Sequence, residues 1–340
     1  MIRLASMALV GLLLFACGEE VPRAPVPELS ASAADLETLY GWNKGPWSVA
    51  LAEDLQLPHA VRDETLNFRA YYPTGKNEAF PVLLFAHGNW SANDKYDNLL
   101  RHWVSYGYVV LAPMHRDGSG GYVSGTVDLL RYGNLGLIQG RVDDMTTLLD
   151  SLAQVEALVP ALAGRMDHSR VAATGHSFGA FNAQQLGGAA ALDTDTGEFV
   201  TQLDERISAV VAISPPGPMF DEITADSWRA QSVPTLMTTG TWDTNAMFWP
   251  DWRAHKMSWE TAVTGNQYAL VVQGADHYLG NLICRLELEE PPQHEALAFV
   301  NSAVVTFLDA RMKAVPEAIV QLASDRVAAV SNGFAVLEQR

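Results

Sequence analysis

Short apolar runs alternate with stretches of helical spacing from about residue 42 to residue 313. Phe80–Ala86 (FPVLLFA) and Tyr108–Pro113 (YVVLAP) are apolar at nearly every position, which is typical of parallel strands buried on both faces. Thr65–Tyr72 predicts an earlier strand at an antiparallel edge of the same sheet. The four later predicted strands are Val171–Gly175, Ile207–Ser214, Val233–Gly240 and Gln267–Gln273.

Apolar residues spaced three or four apart predict helices between these strands. The predicted helices are Leu137–Leu158, Phe178–Ala191 and His294–Ala310. Strands that alternate with helices build a mostly parallel central sheet flanked by helices, so we expect an α/β fold. Only residues 215–232 separate two of the strands, which is too short a segment for an inserted domain, so we expect no large cap domain.

The N-terminus predicts an export signal. An apolar run from Leu4 to Ala16 follows Arg3, and it is too short to span a bilayer as a stable helix. It leads into Cys17 through Leu14-Phe15-Ala16, which resembles the bacterial lipobox, whose cysteine becomes the lipidated first residue of the mature protein. A simple secretory signal cleaved nearby is the alternative.

Four segments are expected along the chain. Residues 1–16 form the lipoprotein signal peptide, and residues 17–41, rich in Pro, Ala, Ser and Glu, form a flexible tether. The α/β domain covers residues 42–313, and residues 314–340 form an amphipathic helical extension of no clear role. A lipid on Cys17 implies a protein anchored in a bacterial cell envelope, on the periplasmic or outer-membrane face.

Charge and cysteine content narrow the possible partners. The net charge of −17 argues against a nucleic-acid partner, because few cations are present to neutralise phosphates. The same charge gives no electrostatic attraction to anionic lipid. The chain has two cysteines, so lipidation of Cys17 would leave Cys284 without a disulfide partner, as a buried apolar residue in an expected monomer.

The segment Gly175-His176-Ser177-Phe178-Gly179 matches G-x-S-x-G, the sharp turn from a strand to a helix that exposes a nucleophilic serine. The flanking glycines are needed because the turn leaves no room for side chains. An apolar strand precedes the motif, and small residues of a predicted helix follow it. Ser177 is therefore the candidate nucleophile, and the helix N-terminus faces the developing negative charge. The alternative is a structural turn.

An oxyanion hole needs two backbone N–H donors, one from the residue after the nucleophile and one from the loop after an early strand. The first donor is then Phe178. The loop after Phe80–Ala86 reads His87-Gly88-Asn89-Trp90, and Asn89 is the candidate second donor, with Trp90 as the alternative. We expect His87 to hold this loop by hydrogen bonds rather than to act as a base.

The general base and its acid should follow the nucleophile in the order Ser, Asp or Glu, His. His277 lies just beyond a predicted strand and is preferred over His255, which follows no strand, and His294, which opens the last helix. Asp243, after the strand Val233–Gly240, is the candidate acid that orients His277. Asp276 is its rival, but as a neighbour of the histidine it is expected to brace the loop.

These motifs together resemble a family. HGN at residues 87–89, TGHSFGA at 174–180, SPPGP at 214–218, TGTWD at 239–243 and GADH at 274–277 are similar to bacterial α/β-hydrolases related to platelet-activating-factor acetylhydrolase, chlorophyllase and dienelactone hydrolase. The resemblance covers about residues 44–312 and implies an α/β-hydrolase fold and hydrolysis of carboxylic esters without a metal or cofactor. Dienelactone hydrolase itself uses a cysteine nucleophile, where this chain has Ser177.

The predicted function is therefore a serine esterase that acts on a neutral or lipid-like ester through Ser177, His277 and Asp243. Trp90, Trp242, Phe248 and Trp249 are candidate pocket residues, with loop packing as the alternative. A serine peptidase or acyltransferase would use the same triad. A non-catalytic envelope lipoprotein on the same fold is the other alternative.

Overall fold

A nine-stranded sheet forms the centre of the molecule in the computed structural model, which describes residues 21–75, 78–118, 121–263 and 265–340. Its strands are β1 Ser48–Pro58, β2 Thr65–Thr74, β3 Phe80–Ala86, β4 Val109–Pro113, β5 Met166–His176, β8 Ile207–Ile213, β9 Thr235–Gly240, β10 Gln267–Val272 and β11 Ala335–Gln339. A separate hairpin contains β6 Ala190–Leu192 and β7 Phe199–Thr201.

The strand order is β1-β2-β4-β3-β5-β8-β9-β10-β11. The six strands from β4 to β10 are parallel to one another, β1 and β2 run antiparallel at one edge, and β11 is antiparallel to β10 at the other. The carboxyl ends of parallel strands meet at one edge of a sheet, so the loops after β3, β5, β9 and β10 lie close together.

Helices cover both faces of the sheet. They are α1 Ala33–Leu36, α2 Asp97–Ser105, α3 Gly121–Asp150, α4 Leu152–Leu158, α5 Phe178–Leu186, α6 Met257–Thr261, α7 His294–Met312, α8 Pro316–Leu322 and α9 Arg326–Val330. The largest apolar cluster includes buried residues of α2 and α7, and a second cluster includes those of α3 and α4. The predicted fold class, a mostly parallel sheet flanked by helices, is confirmed.

The segment between β8 and β9 forms no cap domain. Residues 214–234 contain one short 3-10 helix, Ala225–Trp228, whose Trp228 packs edge-on against Phe181 of α5 at a ring distance of 5.9 Å. This segment therefore lies on the domain itself. None of the helices among the described residues is long and apolar enough to cross a membrane.

Both ends of the described chain pack against the sheet domain. Leu36 and Leu39, inside the segment expected to be a tether, are buried in the main apolar cluster, so this part is not a free linker. The extension expected to be helical contains α8 and α9 but ends in β11, which pairs with β10. Cys284 is buried and free, while the signal peptide and Cys17 lie outside the described residues.

Candidate active site

Ser177 occupies a tight turn between β5 and α5. Its backbone has a φ of 54°, a left-handed conformation that is strained for a residue with a side chain. A Cβ added at Gly175 would lie 2.3 Å from the carbonyl oxygen of Gly179, and one added at Gly179 would lie 2.1 Å from the carbonyl oxygen of Ala86. Both positions therefore require glycine, and the serine side chain is left at the carboxyl edge of the sheet.

A continuous hydrogen-bond chain joins three side chains from three separate loops. Ser177 Oγ lies 2.9 Å from His277 Nε2, and His277 Nδ1 lies 2.7 Å from Asp243 Oδ1. A carboxylate only accepts, so Nδ1 carries the imidazole proton and Nε2 is left to accept from the serine hydroxyl. The structure thus brings together the three residues proposed from the sequence, in an arrangement suited to proton transfer from Ser177.

Asp243 is fully buried, at 0% exposure, and several groups satisfy it. Its Oδ2 accepts a hydrogen bond from Thr239 Oγ1 at 2.9 Å. Burial by itself would raise the pKa of Asp243, but the adjacent His255 and His277 hold that pKa well below its usual value. Asp243 is therefore ionised at neutral pH and can stabilise a protonated His277.

His255 lies on the other side of the same carboxylate. Its Nε2 is 3.0 Å from Asp243 Oδ1, and its Nδ1 is 2.7 Å from the carbonyl oxygen of Pro215. The sequence favours His277 over His255 as the base. No local pattern marks the contact of His255 with Asp243, because the segment between β9 and β10 that carries both residues must fold back on itself.

Asp243, His255 and His277 also present ligand atoms that all lie within 4.8 Å of one another. Ligand atoms on a tetrahedral ion with bonds of ~2.1 Å would stand about 3.4 Å apart. Asp243 Oδ1 instead lies 2.7 Å from one ring nitrogen and 3.0 Å from the other, which are hydrogen-bond and ion-pair distances. The donor set therefore fits proton sharing, and the expectation of a metal-free site stays a prediction.

Two backbone N–H groups stand unpaired at the candidate oxyanion hole. Neither the N–H of Phe178, the first residue of α5, nor that of Asn89 has a hydrogen-bond partner among the described residues. Asn89 follows β3, and Phe178 follows Ser177, so both lie at the same carboxyl edge of the sheet. The buried Asn89 Oδ1 also lacks a partner within the described chain.

A buried ion pair holds the loop that carries Asn89. Arg141 of α3 donates to the carbonyl oxygen of His87 at 2.6 Å and to both carboxylate oxygens of Asp117, at 2.9 and 2.5 Å. His87 accepts the N–H of His115 at its Nε2 and contacts the Gly88 carbonyl oxygen through Nδ1. Burial, with help from the nearby His115 and Arg141, lowers the pKa of His87, so His87 is a neutral structural group.

A second network connects the same loop to His277. The N–H of Gly88 donates to the Tyr96 hydroxyl at 2.8 Å, and that hydroxyl lies 3.1 Å from His176 Nδ1. His176 Nε2 donates to the carbonyl oxygen of His277 at 2.9 Å. Burial and the neighbouring His277 lower the pKa of His176 to about 3, so it stays neutral and fixes the base loop to the nucleophile turn.

Aromatic rings line one side of the triad. The Trp249 ring lies 5.3 Å from His277, Phe248 lies 5.6 Å from Trp249, and Phe220 lies 6.5 Å from Phe248 and 5.8 Å from Phe178. Phe248 and Trp249 are pocket residues predicted from the sequence, whereas Phe220, in the loop after β8, is not among the predicted ones. These rings form a continuous aromatic cluster that runs from the base to the start of α5, in which Trp249 is buried and Phe220 and Phe248 are half-buried.

The other two candidate pocket residues make different contacts. Trp90, in the oxyanion loop, is half-buried, and its ring packs on α3, where a Cβ added at Gly125 would lie 2.3 Å from it. The pocket role expected of Trp242 is not supported by its position. Its indole N–H donates to the carbonyl oxygen of Ala24, and Arg23 lies over its ring, so it packs against the N-terminal segment.

Asp276, the rival acid, contacts its own loop instead of the imidazole. Its Oδ1 accepts the N–H groups of Tyr278 and Gly280, at 3.0 and 2.8 Å. Burial raises the pKa of Asp276 above its usual value. These contacts brace the turn that presents His277, while Asp243 makes the contact with its ring.

A family model described as the alpha/beta hydrolase family matches residues 83–333, about three quarters of the chain. No curated protein matches the chain. The matched region contains Ser177, Asp243 and His277 together with the parallel strands that position them. From this match and from the strand order of the sheet, the chain belongs to the alpha/beta hydrolase family.

Proposed function

We propose that the protein is a serine hydrolase of carboxylic esters. The observation that carries this proposal is the hydrogen-bond chain from Ser177 Oγ through His277 to Asp243, with distances of 2.9 and 2.7 Å. The unpaired N–H groups of Asn89 and Phe178 support it, since acyl transfer needs two such donors beside the nucleophile.

The reaction proceeds in two steps. His277 Nε2 takes the hydroxyl proton of Ser177 as Oγ bonds to the ester carbonyl carbon, and the two N–H groups hold the oxyanion. The carbon–oxygen bond to the alcohol then breaks, and the alcohol leaves with the proton from His277. Water attacks the acyl-enzyme and gives a proton to His277, which returns it to Ser177 as the acid departs.

We infer a neutral or lipid-like substrate. The half-buried Phe220 and Phe248 offer an apolar surface beside the triad, which suits an apolar acyl or alcohol group. The net charge of −17 disfavours anionic substrates. The motif resemblance to platelet-activating-factor acetylhydrolase and chlorophyllase relatives points in the same direction.

The proposal is tested by the substitution Ser177→Ala. Hydrolysis of a short p-nitrophenyl ester should fall by at least about a thousandfold, because the nucleophile is lost. Ser208→Ala is the control, since Ser208 bonds only to the Val171 carbonyl oxygen on the sheet and should leave the rate unchanged. Retained hydrolysis in Ser177→Ala would rule out the assignment.

A substrate panel separates the ester hydrolase from its alternatives. Esters of increasing chain length should be cleaved, and matched amides should not. Cleavage of the amides at a comparable rate would indicate a peptidase, and transfer of the acyl group to an added alcohol in place of water would indicate an acyltransferase. A chain that cleaves none of them would fit a non-catalytic envelope protein.

We also propose that the mature protein is a monomer attached to a bacterial envelope through a lipid on Cys17. The lipobox-like sequence at residues 14–17 supports this proposal. Metabolic labelling with palmitate should mark the wild-type chain and not Cys17→Ser. Equal labelling of both would exclude lipidation at this residue.

A further inference from the structure

His255 is buried with both ring nitrogens against oxygen atoms. It belongs to the 3-10 helix Trp252–Lys256, and only 1% of its surface is exposed. Nδ1 lies 2.7 Å from the carbonyl oxygen of Pro215. A carbonyl oxygen can only accept a hydrogen bond, so Nδ1 carries a proton.

The second ring nitrogen determines the charge of His255. Nε2 lies 3.0 Å from Asp243 Oδ1, which also accepts from His277 Nδ1 at 2.7 Å. If His255 were neutral, the lone pair of Nε2 would face the lone pairs of a carboxylate inside the protein. A proton on Nε2 turns this repulsion into an ion pair. The direction of Nε2 is poor for a hydrogen bond, so the contact acts mainly through charge.

We propose that His255 is a positioning residue of the proposed esterase, a protonated second partner that keeps Asp243 ionised and directed at His277. This inference rests on the proposed function for its catalytic consequence, but the charge on His255 can be measured without it. His255 does not reach the serine, and it acts through Asp243.

The charges around His255 agree with this role. The titratable groups that face it are Asp243, His277, with ring centres 5.7 Å apart, and His176. On its own helix, Arg253 pairs with Asp251, and Lys256 pairs with Glu338. Asp243 is therefore the anion that a protonated His255 contacts.

The charge of His255 beside Asp243 changes with pH in a definite direction. Burial by itself would lower the pKa of His255, but Asp243 raises it above the usual value. The positive charge is thus kept to a higher pH than in an ordinary histidine and is lost as the pH rises through that raised pKa. Above it, Asp243 keeps its contact with His277 but loses its second partner.

The charge on His255 has two expected effects on catalysis. It offsets the buried carboxylate while His277 is neutral, so Asp243 has no need to take up a proton. It also keeps the carboxylate directed at His277, so loss of the charge should lower kcat/KM. An alkaline limb of kcat/KM therefore reports His255.

His255→Gln tests the charge while keeping a donor. Glutamine can still donate a hydrogen bond but carries no charge, so the alkaline limb of kcat/KM should disappear. His102→Gln is the matched control, because His102 is a part-buried histidine that bonds a backbone carbonyl oxygen, that of Gly41. The alkaline limb should stay in place in the control.

Histidine-ring nitrogen NMR of the wild-type protein gives an independent reading that requires no turnover. At pH 7 both ring nitrogens of His255 should be protonated, assigned by the signals missing in His255→Gln, while His102 should be neutral. A neutral His255 at pH 7, or a wild-type alkaline limb in folded His255→Gln, would overturn the proposal. If no ester is hydrolysed at all, the proposed function fails, and the NMR result still decides the charge of His255.

Discussion

Single side chains at this site are held by contacts that fix both their direction and their charge. The proton on His277 Nδ1 is assigned by Asp243, and the neutral state of His176 follows from its burial. Backbone oxygens approach Gly175 and Gly179 so closely that neither position has room for a side chain. The reactivity proposed for Ser177 therefore depends on groups that never touch substrate.

Phe248 provides a test of the apolar surface. Phe248→Ala should raise KM for long-chain esters by about tenfold, or about 1.4 kcal/mol, with little change for an acetate ester, because only the long chains would contact the ring. Steady-state kinetics on a chain-length series measures this effect. Trp242→Ala is the control outside the site and should show no dependence on chain length. Equal losses for acetate and long-chain esters would show that Phe248 does not set specificity.

Whole elements were predictable to different degrees. The bounds of Phe80–Ala86 agree with β3 because every residue of that strand is buried, so its apolar run is unbroken. β1 was not predicted, because a register shift between Ala52 and Leu55 breaks its alternation. α3 begins at Gly121, well before the predicted Leu137, in a glycine-rich stretch where Gly133 interrupts the helical backbone.

The residues of the candidate site also differ in how well the sequence predicts them. Ser177, Asp243 and His277 each follow a strand. The strands can be predicted from their apolar runs, so the polar residues that follow them can be identified as candidates from the sequence. Arg141, Tyr96 and His255 contact residues far away in the sequence, His87, His176 and Pro215 respectively, and no local pattern encodes such contacts. Their roles therefore required the packed structure.

The ion pair between α3 and the short 3-10 helix Arg116–Gly118 contributes stability that depends on pH. Burial alone would raise the pKa of Asp117, but Arg141 lowers it to about 2. A lowered pKa stabilises the fold at neutral pH, and this contribution is lost as the pH falls from about 4 to about 2.

Asp117→Asn should therefore lower the free energy of unfolding at pH 7 by about 2 kcal/mol or more, because Arg141 would be left buried without its anion. The difference in the free energy of unfolding between this variant and the wild type should become smaller below about pH 4. Urea unfolding at several pH values measures this difference. The control Asp226→Asn removes an exposed ion pair with Arg229 and should change the free energy of unfolding little. A deficit that does not vary with pH would contradict this account.

Across the whole molecule, segments far apart in sequence close around the sheet. Leu36 and Leu39 from the N-terminal part join the same apolar cluster as α7 and β11. Arg23 lies 3.8 Å from Asp276, and Trp242 contacts Ala24, so the N-terminal segment also touches the loops that carry the acid and the base. The folded unit therefore begins before residue 42.

Leu39→Ala tests whether this segment belongs to the folded unit. The loss of a buried leucine side chain should lower the free energy of unfolding by about 3 kcal/mol. Val320→Ala, at a side chain that is 69% exposed, is the control and should change stability little. Thermal unfolding measures both variants. An unchanged melting temperature for Leu39→Ala would show that the segment is a free tether after all.

Covalent labelling with a fluorophosphonate tests whether Ser177 is an activated nucleophile. Intact-mass spectrometry should show one added phosphonyl group, and peptide mapping should locate it on Ser177. Labelling should be absent in Ser177→Ala and much slower in His277→Gln. A wild-type protein that gains no mass, or that carries the label on another residue, would contradict the account.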